Sequence, residues 1–142
     1  MTASSMALRT LLSRIEGDPA AAALARDGGR AFASASLQPY LIAAIADHDA
    51  QARVSAHLVV VGDDRAARDL AADLRTWLHP RRVRYYPSRG VTYESHLLPP
   101  AHLVGLRVAA LDALLGRDAG AVVVVSAVAL SEKVPDPALR PR

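Results

Sequence analysis

Two short valine-rich runs, with helical segments between them, limit most strongly what this chain can fold into. Residues 58–61 read Leu-Val-Val-Val, and residues 122–125 are four valines. Continuous β-branched runs of this length are typical of strands buried on both faces of a parallel sheet. We therefore expect an α/β fold in which residues 58–61 form a central parallel strand.

The remaining segments alternate between helical and extended patterns. Apolar residues at helical spacing predict helices over 8–16, 20–26, 38–47, 64–79 and about 103–115. Pro19 suits the first position of the second helix, and Asp63 or Asp64 can cap the fourth. Residues 30–33 and 82–86 predict further short strands. This order predicts parallel strands joined by right-handed crossovers, with helices and sheet in three layers.

Length and composition exclude several classes of protein. The 142 residues suffice for one domain with a core but not for a two-lobed motor. With no cysteine, the chain has no disulfide, thiolate metal site or cysteine nucleophile, which suits the cytoplasm. No run approaches the ~20 apolar residues that cross a bilayer, and we identify no export signal near Met1.

The charge balance gives only weak support for nucleic-acid binding. The 17 Lys+Arg against 14 Asp+Glu leave a formal charge of +3. The dense basic cluster of Arg81, Arg82 and Arg84 could contact phosphates, and Tyr85 and Tyr86 could stack on bases. The alternative, which we favour, is an arginine-rich turn leading into a strand whose tyrosines pack under neighbouring helices.

The segment 32–39 occupies the place of the phosphate-binding loop of a nucleotide fold. Such a loop needs glycines, a lysine for the phosphates and a Ser or Thr for magnesium. Residues 32–39 contain no glycine, and Gln38 and Pro39 stand where the lysine and hydroxyl would fall. We expect a structural strand-to-helix turn and no nucleotide cofactor.

Other polar residues form no recognisable catalytic pattern. The histidines lack the helical spacing of a metal site, and are His48, His57, His79, His96 and His102. Ser95 lies beside Glu94 and His96 but outside any nucleophile elbow, so we expect no catalytic triad. A possible carboxylate cluster is better explained by surface charge pairing with arginines, and consists of Asp63, Asp64, Asp69 and Asp73. A phosphate site at the Asp63–Asp64 helix start is the alternative, although two acids there would repel phosphate.

Several segments, taken in order, resemble the N-terminal region of bacterial transcription-repair coupling factors. Residues 83–94 combine a strand end, an aromatic-proline pair and a tyrosine-acid pair. Leu98-Pro99-Pro100 and an arginine-containing helix over 104–111 follow them. The helix start 63–70 and the strand-helix 122–130 fall in the family's order and spacing. The resemblance covers roughly residue 8 to the C-terminus.

The resemblance implies a module similar to the first domain of the excision-repair protein UvrB, with a degenerate nucleotide loop. It predicts no ATPase activity in this chain. UvrB carries a long aromatic hairpin where this chain runs almost directly from Glu94 to Pro99, so damage probing is not expected here. In the full-length family the partners are UvrA, RNA polymerase and DNA, and no metal or membrane is implied.

We accordingly divide the chain into three parts. Residues 1–28 form a helical lead-in, 29–132 a UvrB-like α/β domain, and 133–142 a proline-rich linker toward a missing UvrA-binding domain. The leading hypothesis is a non-catalytic interaction or structural module of a coupling factor. The alternatives are a stand-alone nucleotide-using domain and a weak nucleic-acid-binding domain.

Overall fold

The computed structural model describes residues 3–52, 56–92, 96–115 and 120–134, and it contains helices on both faces of a small sheet. A 3-10 helix, Ser13–Gly17, follows the first α-helix. The other elements are α1 (Ala3–Leu12), α2 (Pro19–Asp27), α3 (Gln38–Ala52), β1 (His57–Val61), α4 (Asp64–Leu78), β2 (Val83–Tyr86), α5 (Ala101–Leu115), β3 (Val122–Ser126) and α6 (Ala127–Ser131).

The strands form a parallel sheet in the order β1-β3-β2. Val122 of β3 is in register with His57 of β1 on one side and Val83 of β2 on the other. The chain passes from β1 through α4 to the far strand β2, and α5 then returns it so that β3 enters between them. The prediction that 58–61 is the central strand is therefore wrong, because β3 takes the central position.

Each face of β3 supports a separate apolar cluster, which explains why all five of its residues are buried. Val122 and Val124 pack with α3, α4, Leu12 and Ile15. The residues on the opposite face, Val123 and Val125, pack with alanines of α5 and α6. The parallel sheet between helices agrees with the predicted layering.

Among the described residues, strand β1 packs into an apolar cluster on one face and is half exposed on the other. Val59 packs against the cluster that contains α4, whereas Leu58 and Val60 are each 48% exposed. Leu58 and Val60 are in register with Val123 and Val125, so they lie on the face that carries α5 and α6. The β-branched composition of β1 thus predicted a strand correctly but not the exposure of this face.

The helices agree closely with local sequence signals. Asp63 caps α4 by accepting a hydrogen bond from the amide of Ala66 at 2.8 Å. Asp18 caps α2 by accepting one from the amide of Ala20 at 2.9 Å, with Pro19 at the first helical position. Both caps place a carboxylate at a helix N-terminus, where unpaired amides favour negative charge. The predicted fourth and second helices are confirmed.

Two local predictions need correction. Residues 30–33 form no strand, because Phe32 is fully exposed and the apolar run is too short to bury a face. The predicted first helix, 8–16, is instead α1 ending at Leu12, followed by the 3-10 helix. The tail 135–142 of the predicted linker lies outside the described residues.

Candidate functional site

The carboxyl ends of the three strands meet at one edge of the sheet, where parallel α/β folds bind their ligands. The segment 62–64 follows β1, the segment 87–89 follows β2, and Ser126 ends β3. We call this edge the carboxyl edge. Its polar side chains form two linked networks that decide what the edge can bind.

The first network is centred on the carboxylate of Asp64. Its Oδ1 accepts a hydrogen bond from the Ser126 hydroxyl at 2.6 Å, and its Oδ2 accepts one from the Ser88 hydroxyl. The backbone amide of Ser88 lies 3.3 Å from both carboxylate oxygens. Ser126 is fully buried and also caps α6 by accepting from the amide of Ala129 at 3.0 Å. One carboxylate thus joins the ends of all three strands.

Opposing effects act on the pKa of Asp64. Desolvation raises it, but the hydrogen bonds from Ser126 and Ser88 together with the positive charge of Arg107 outweigh that effect, so the pKa lies below the ordinary value. Asp64 is therefore ionised at neutral pH. It is unsuited to act as a general acid there, since it carries no proton to donate.

The second network is centred on the guanidinium of Arg107, from α5. Its Nη1 donates to the carbonyl of Pro87 at 2.8 Å and to the carboxylate of Glu132 at 2.5 Å. The guanidinium carbon also lies 4.3 Å from the centre of the Tyr86 ring, a cation–π contact. Glu132 accepts from the backbone amide of Arg89 at 3.0 and 3.1 Å. These bonds hold the loop after β2 to α5 and to the chain after α6.

The carboxyl edge is poorly suited to phosphate. Asp63 and Asp64 place two carboxylates at the N-terminus of α4, the position where a nucleotide fold offers amides to phosphate. Ser88 and Ser126 direct their hydroxyls at Asp64. These polar groups therefore bond to one another, and their bonds cross-link the ends of the strands.

The segment 32–39 lies apart from this arrangement. Residues 3–31, which precede it, contain no strand, and the amides of Leu37 and Gln38 donate to the carbonyl of Ser34 at 2.9 and 3.2 Å as α3 begins. The prediction of a strand-to-helix turn is therefore wrong in its strand. Pro39 occupies the first turn of α3, where a missing backbone donor is tolerated.

Arg81 of the basic cluster has a structural role at the opposite edge of the sheet. Its guanidinium donates to the carbonyls of Ala46 at 2.9 Å and Gly120 at 3.1 Å, and lies 3.4 Å from the buried carboxylate of Asp47. Asp47 also pairs with Arg9 at 3.0 Å. The Arg81 guanidinium lies close to Gly120, since a Cβ at position 120 would be 2.5 Å from Arg81 Nη2. Gly120 also has a φ of +79°, which favours glycine.

The two tyrosines that follow the basic cluster pack as predicted. Tyr85 joins the cluster that contains α4, and its hydroxyl donates to the carbonyl of Asp64 at 3.2 Å. Tyr86 is buried in the opposite cluster beneath α5. The favoured interpretation, an arginine-rich turn leading into a packed strand, is confirmed for Arg81, Tyr85 and Tyr86.

The remaining candidates are dispersed. Asp69 lies 3.5 Å from Arg68 and 3.9 Å from Arg65 on the exposed side of α4, as surface pairing predicts. Exposed positions are taken by His48, His79, His96 and His102. Across the part of the chain that the structure describes, no three His, Cys, Asp or Glu side chains could hold a metal ion. Ser95 and Glu94 lie outside the described residues.

Sequence reasoning missed the residues that complete the networks of the carboxyl edge. The sequence predicts Asp64 to be a helix cap or a surface acid, and does not indicate that it accepts hydrogen bonds from Ser88 and Ser126. Their sequence separations from Asp64, 24 and 62 residues, exceed any local motif. A usable signal exists in the sequence, because Ser126 ends a strand, Asp64 and Ser88 come shortly after strands, and parallel strands bring their carboxyl ends together.

No helix among the described elements is long and apolar enough to span a bilayer. Comparisons of the chain with protein-family models, with curated proteins and with solved structures find no match.

Proposed function

We propose that this chain is a non-catalytic interaction and structural module of a transcription-repair coupling factor. The ordered resemblance of residues 63–70, 83–94, 104–111 and 122–130 supports the family. The polar groups of the carboxyl edge bond to one another, which supports the absence of catalysis. In the full-length factor, the module would support the neighbouring UvrA-binding surface and help to hold the motor at rest.

The absence of catalysis is the part of the proposal that rests on Asp64, whose carboxylate accepts hydrogen bonds from the hydroxyls of Ser88 and Ser126. A nucleotide-hydrolysing domain leaves hydroxyls and amides at this edge available to phosphate and magnesium. Here Ser126 is buried against Asp64, and Asp63 accepts from the first turn of α4. ATP would have to displace these bonds and to approach two carboxylates.

Isothermal titration calorimetry with Mg²⁺-ATP tests this part of the proposal. We expect no saturable heat from the purified chain, with an active P-loop ATPase as the positive control in the same buffer. Tight, magnesium-dependent binding of ATP would contradict the proposal and favour the nucleotide-using alternative.

The family part has a separate test in the gene. Sequencing beyond the codon for Arg142 should show a frame that continues into a UvrA-binding domain, a polymerase-binding domain and a helicase-like motor. A stop codon directly after Arg142 would contradict the module hypothesis and leave a stand-alone domain, whose partner would then be sought by pull-down.

The nucleic-acid-binding alternative has less support, because Arg81 is committed to Ala46, Asp47 and Gly120. It predicts fluorescence-anisotropy binding of a single-stranded DNA oligonucleotide that weakens steeply with salt. Binding that is undetectable at low salt would remove this alternative without affecting the module hypothesis.

A further inference from the structure

One side of strand β1 offers backbone groups that no other strand of the described chain takes up. The amide of His57 donates to the carbonyl of Ala121 at 2.8 Å, which turns the backbone groups of His57 and of every second residue after it toward β3. The amides and carbonyls of Leu58 and Val60 therefore point away from the sheet. Among the residues that the structure describes, none forms a hydrogen bond with these groups. Together with the side chains of Leu58 and Val60, we call them the outer side of β1.

Strand β2, at the opposite side of the sheet, is better protected. The outward carbonyl of Val83 accepts a hydrogen bond from Arg75 Nε at 3.2 Å, and α4 and α5 pack mainly over β2 and β3. On β1, by contrast, the side chains of Leu58 and Val60 are each 48% exposed. A strand with unpaired backbone groups and exposed apolar side chains is a template for a further strand. The outer side of β1 thus fits an extended segment.

The chain itself cannot supply this segment. Most of the stretches outside the described residues are too short to run alongside β1 as a strand, namely 1–2, 53–55, 93–95 and 116–119. Residues 135–142 are longer, but prolines at positions 135, 137 and 141 remove amide donors that a paired strand needs. A strand added to β1 therefore comes from outside these 142 residues.

A second copy of the chain matches the outer side of β1 in backbone and in side chains. In an antiparallel pair of β1 strands centred on Val59, Leu58 of each copy lies opposite Val60 of the other, and their outward amides and carbonyls bond to each other. Leu58 and Val60 lie on the same face of the sheet, so their exposed side chains meet across the two-fold axis. β1 contains no Asp, Glu, Lys or Arg, so no like charges oppose each other.

The size of this contact determines its strength. A strand of 5 residues is roughly 17 Å long, and only Leu58 and Val60 bring exposed apolar side chains to it. The contact therefore buries less than the ~1,600 Å² that is typical of a stable complex. We expect a reversible dimer with a dissociation constant on the order of 100 µM.

We propose that the chain forms a weak two-fold dimer in which two β1 strands pair antiparallel about Val59. The pairing joins the two three-stranded sheets into one continuous sheet. The inference is independent of the coupling-factor hypothesis, because it rests only on the outer side of β1.

Sedimentation velocity of the full chain tests the dimer, at concentrations on both sides of the expected dissociation constant. The sedimentation coefficient should rise with concentration and level off at the value of a dimer. Val60→Pro should keep the chain monomeric, because proline removes an outward amide and leaves the hydrogen bonds to β3 in place. Val60→Ala is the matched control, since it keeps the amide and should still form a dimer. Circular dichroism checks that both variants are folded.

Cysteine substitutions test the register, because the native chain contains no cysteine. Val59→Cys places two thiols opposite each other across the axis, where a Cβ–Cβ distance of about 4.5 Å permits a disulfide. Val61→Cys is the matched control, since Val61 is also partly buried on the same face but lies opposite His57 of the second copy. Its two thiols would be roughly 14 Å apart along the strands. Mild oxidation should cross-link the first variant into a covalent dimer and leave the second as a monomer.

Several results would overturn the proposal. A native chain that stays monomeric over the whole concentration range would do so, and would leave the outer side of β1 to a strand from a different protein. Dimerisation of Val60→Pro equal to that of the native chain would place the contact elsewhere. Equal cross-linking of the two cysteine variants would contradict the register, and growth beyond a dimer would contradict the two-fold pairing.

Discussion

A single carboxylate, that of Asp64, serves as acceptor for loops that are far apart in sequence. Ser126 is fully buried, and its hydroxyl donates to Asp64 at 2.6 Å. A buried hydroxyl without an acceptor loses its hydration with no compensation, which costs about 1–3 kcal/mol. Asp64 therefore contributes to stability chiefly by satisfying groups that other elements bury.

Replacement of Asp64 by alanine should lower the free energy of unfolding by about 1–3 kcal/mol, because the hydroxyls of Ser126 and Ser88 lose their acceptor. Asp69→Ala is the matched control, since it lies on the same helix but in exposed pairs worth about 0–1 kcal/mol. Urea denaturation followed by circular dichroism measures both variants. Equal losses would show that the network adds nothing beyond surface pairing.

The depressed pKa of Asp64 links stability to pH. Because the folded-state pKa lies below the ordinary value of about 3.9, the unfolded chain binds the proton more readily. The stabilisation is complete at pH values above the ordinary pKa of an aspartate, and it is lost as the pH falls through the folded-state pKa of Asp64. Urea midpoints between pH 7 and pH 3 should fall less steeply for Asp64→Asn than for the native chain. An identical slope would mean that Asp64 is not the linked group.

At the scale of elements, the position of a strand in the sheet decides how much each of its residues contributes to the stability of the fold. β1 and β3 have nearly the same valine-rich composition, yet Val124 is fully buried and Val60 is 48% exposed. The difference follows from the crossovers, which bring β3 between the other two strands. Identical substitutions in the two strands should therefore have unequal effects.

Val124→Thr should destabilise the fold by about 1–3 kcal/mol, since it buries a hydroxyl in an apolar cluster. Val60→Thr should change stability by less than about 0.5 kcal/mol, because half of that side chain meets water. Thermal unfolding of the two variants compares them directly. A loss at Val60 as large as at Val124 would contradict the edge position of β1.

Elements with strong local signals were predictable from sequence, whereas strand order was not. The periodic apolar face of α4 and the cap at Asp63 are set by neighbouring residues, and both were confirmed. The valine run of β1 reports extended backbone and apolar side chains but carries no information about which strand lies beside it. The predicted strand 30–33 does not form, because its apolar run is too short to pack against another element.

In the candidate site too, local features could be predicted from the sequence and long-range contacts could not. The sequence shows directly that residues 32–39 contain neither the glycines nor the lysine of a phosphate-binding loop. The contacts of Arg107 with Pro87 and Glu132 span 20 and 25 residues, and no short motif encodes them. Only the fold brings such groups together.

At the scale of the whole molecule, the two faces of the sheet are covered unequally. One face packs against the cluster that contains α3 and α4, and the other packs against α5 and α6 but leaves Leu58 and Val60 exposed. β1 also forms an edge of the sheet, with no Lys or Pro among its residues to discourage pairing.

Self-association should therefore depend on β1. The double substitution Leu58→Lys and Val60→Lys should lower light scattering of concentrated samples, because like charges on an edge strand repel a second copy. Leu130→Lys provides a control at an apolar residue of α6 with 52% exposure. If the control suppresses scattering as strongly as the β1 variant, general surface charge and not the strand edge governs association.

The close approach of Arg81 to Gly120 has a consequence for how related sequences would diverge. A side chain at position 120 would displace the Arg81 guanidinium from buried Asp47, which would keep its ion pair with Arg9. A substitution at any one of Gly120, Arg81 and Asp47 therefore disturbs the contacts of the other two. Lineages descended from a common ancestor should retain glycine, arginine and aspartate at these positions together or exchange them together, as a single inherited unit.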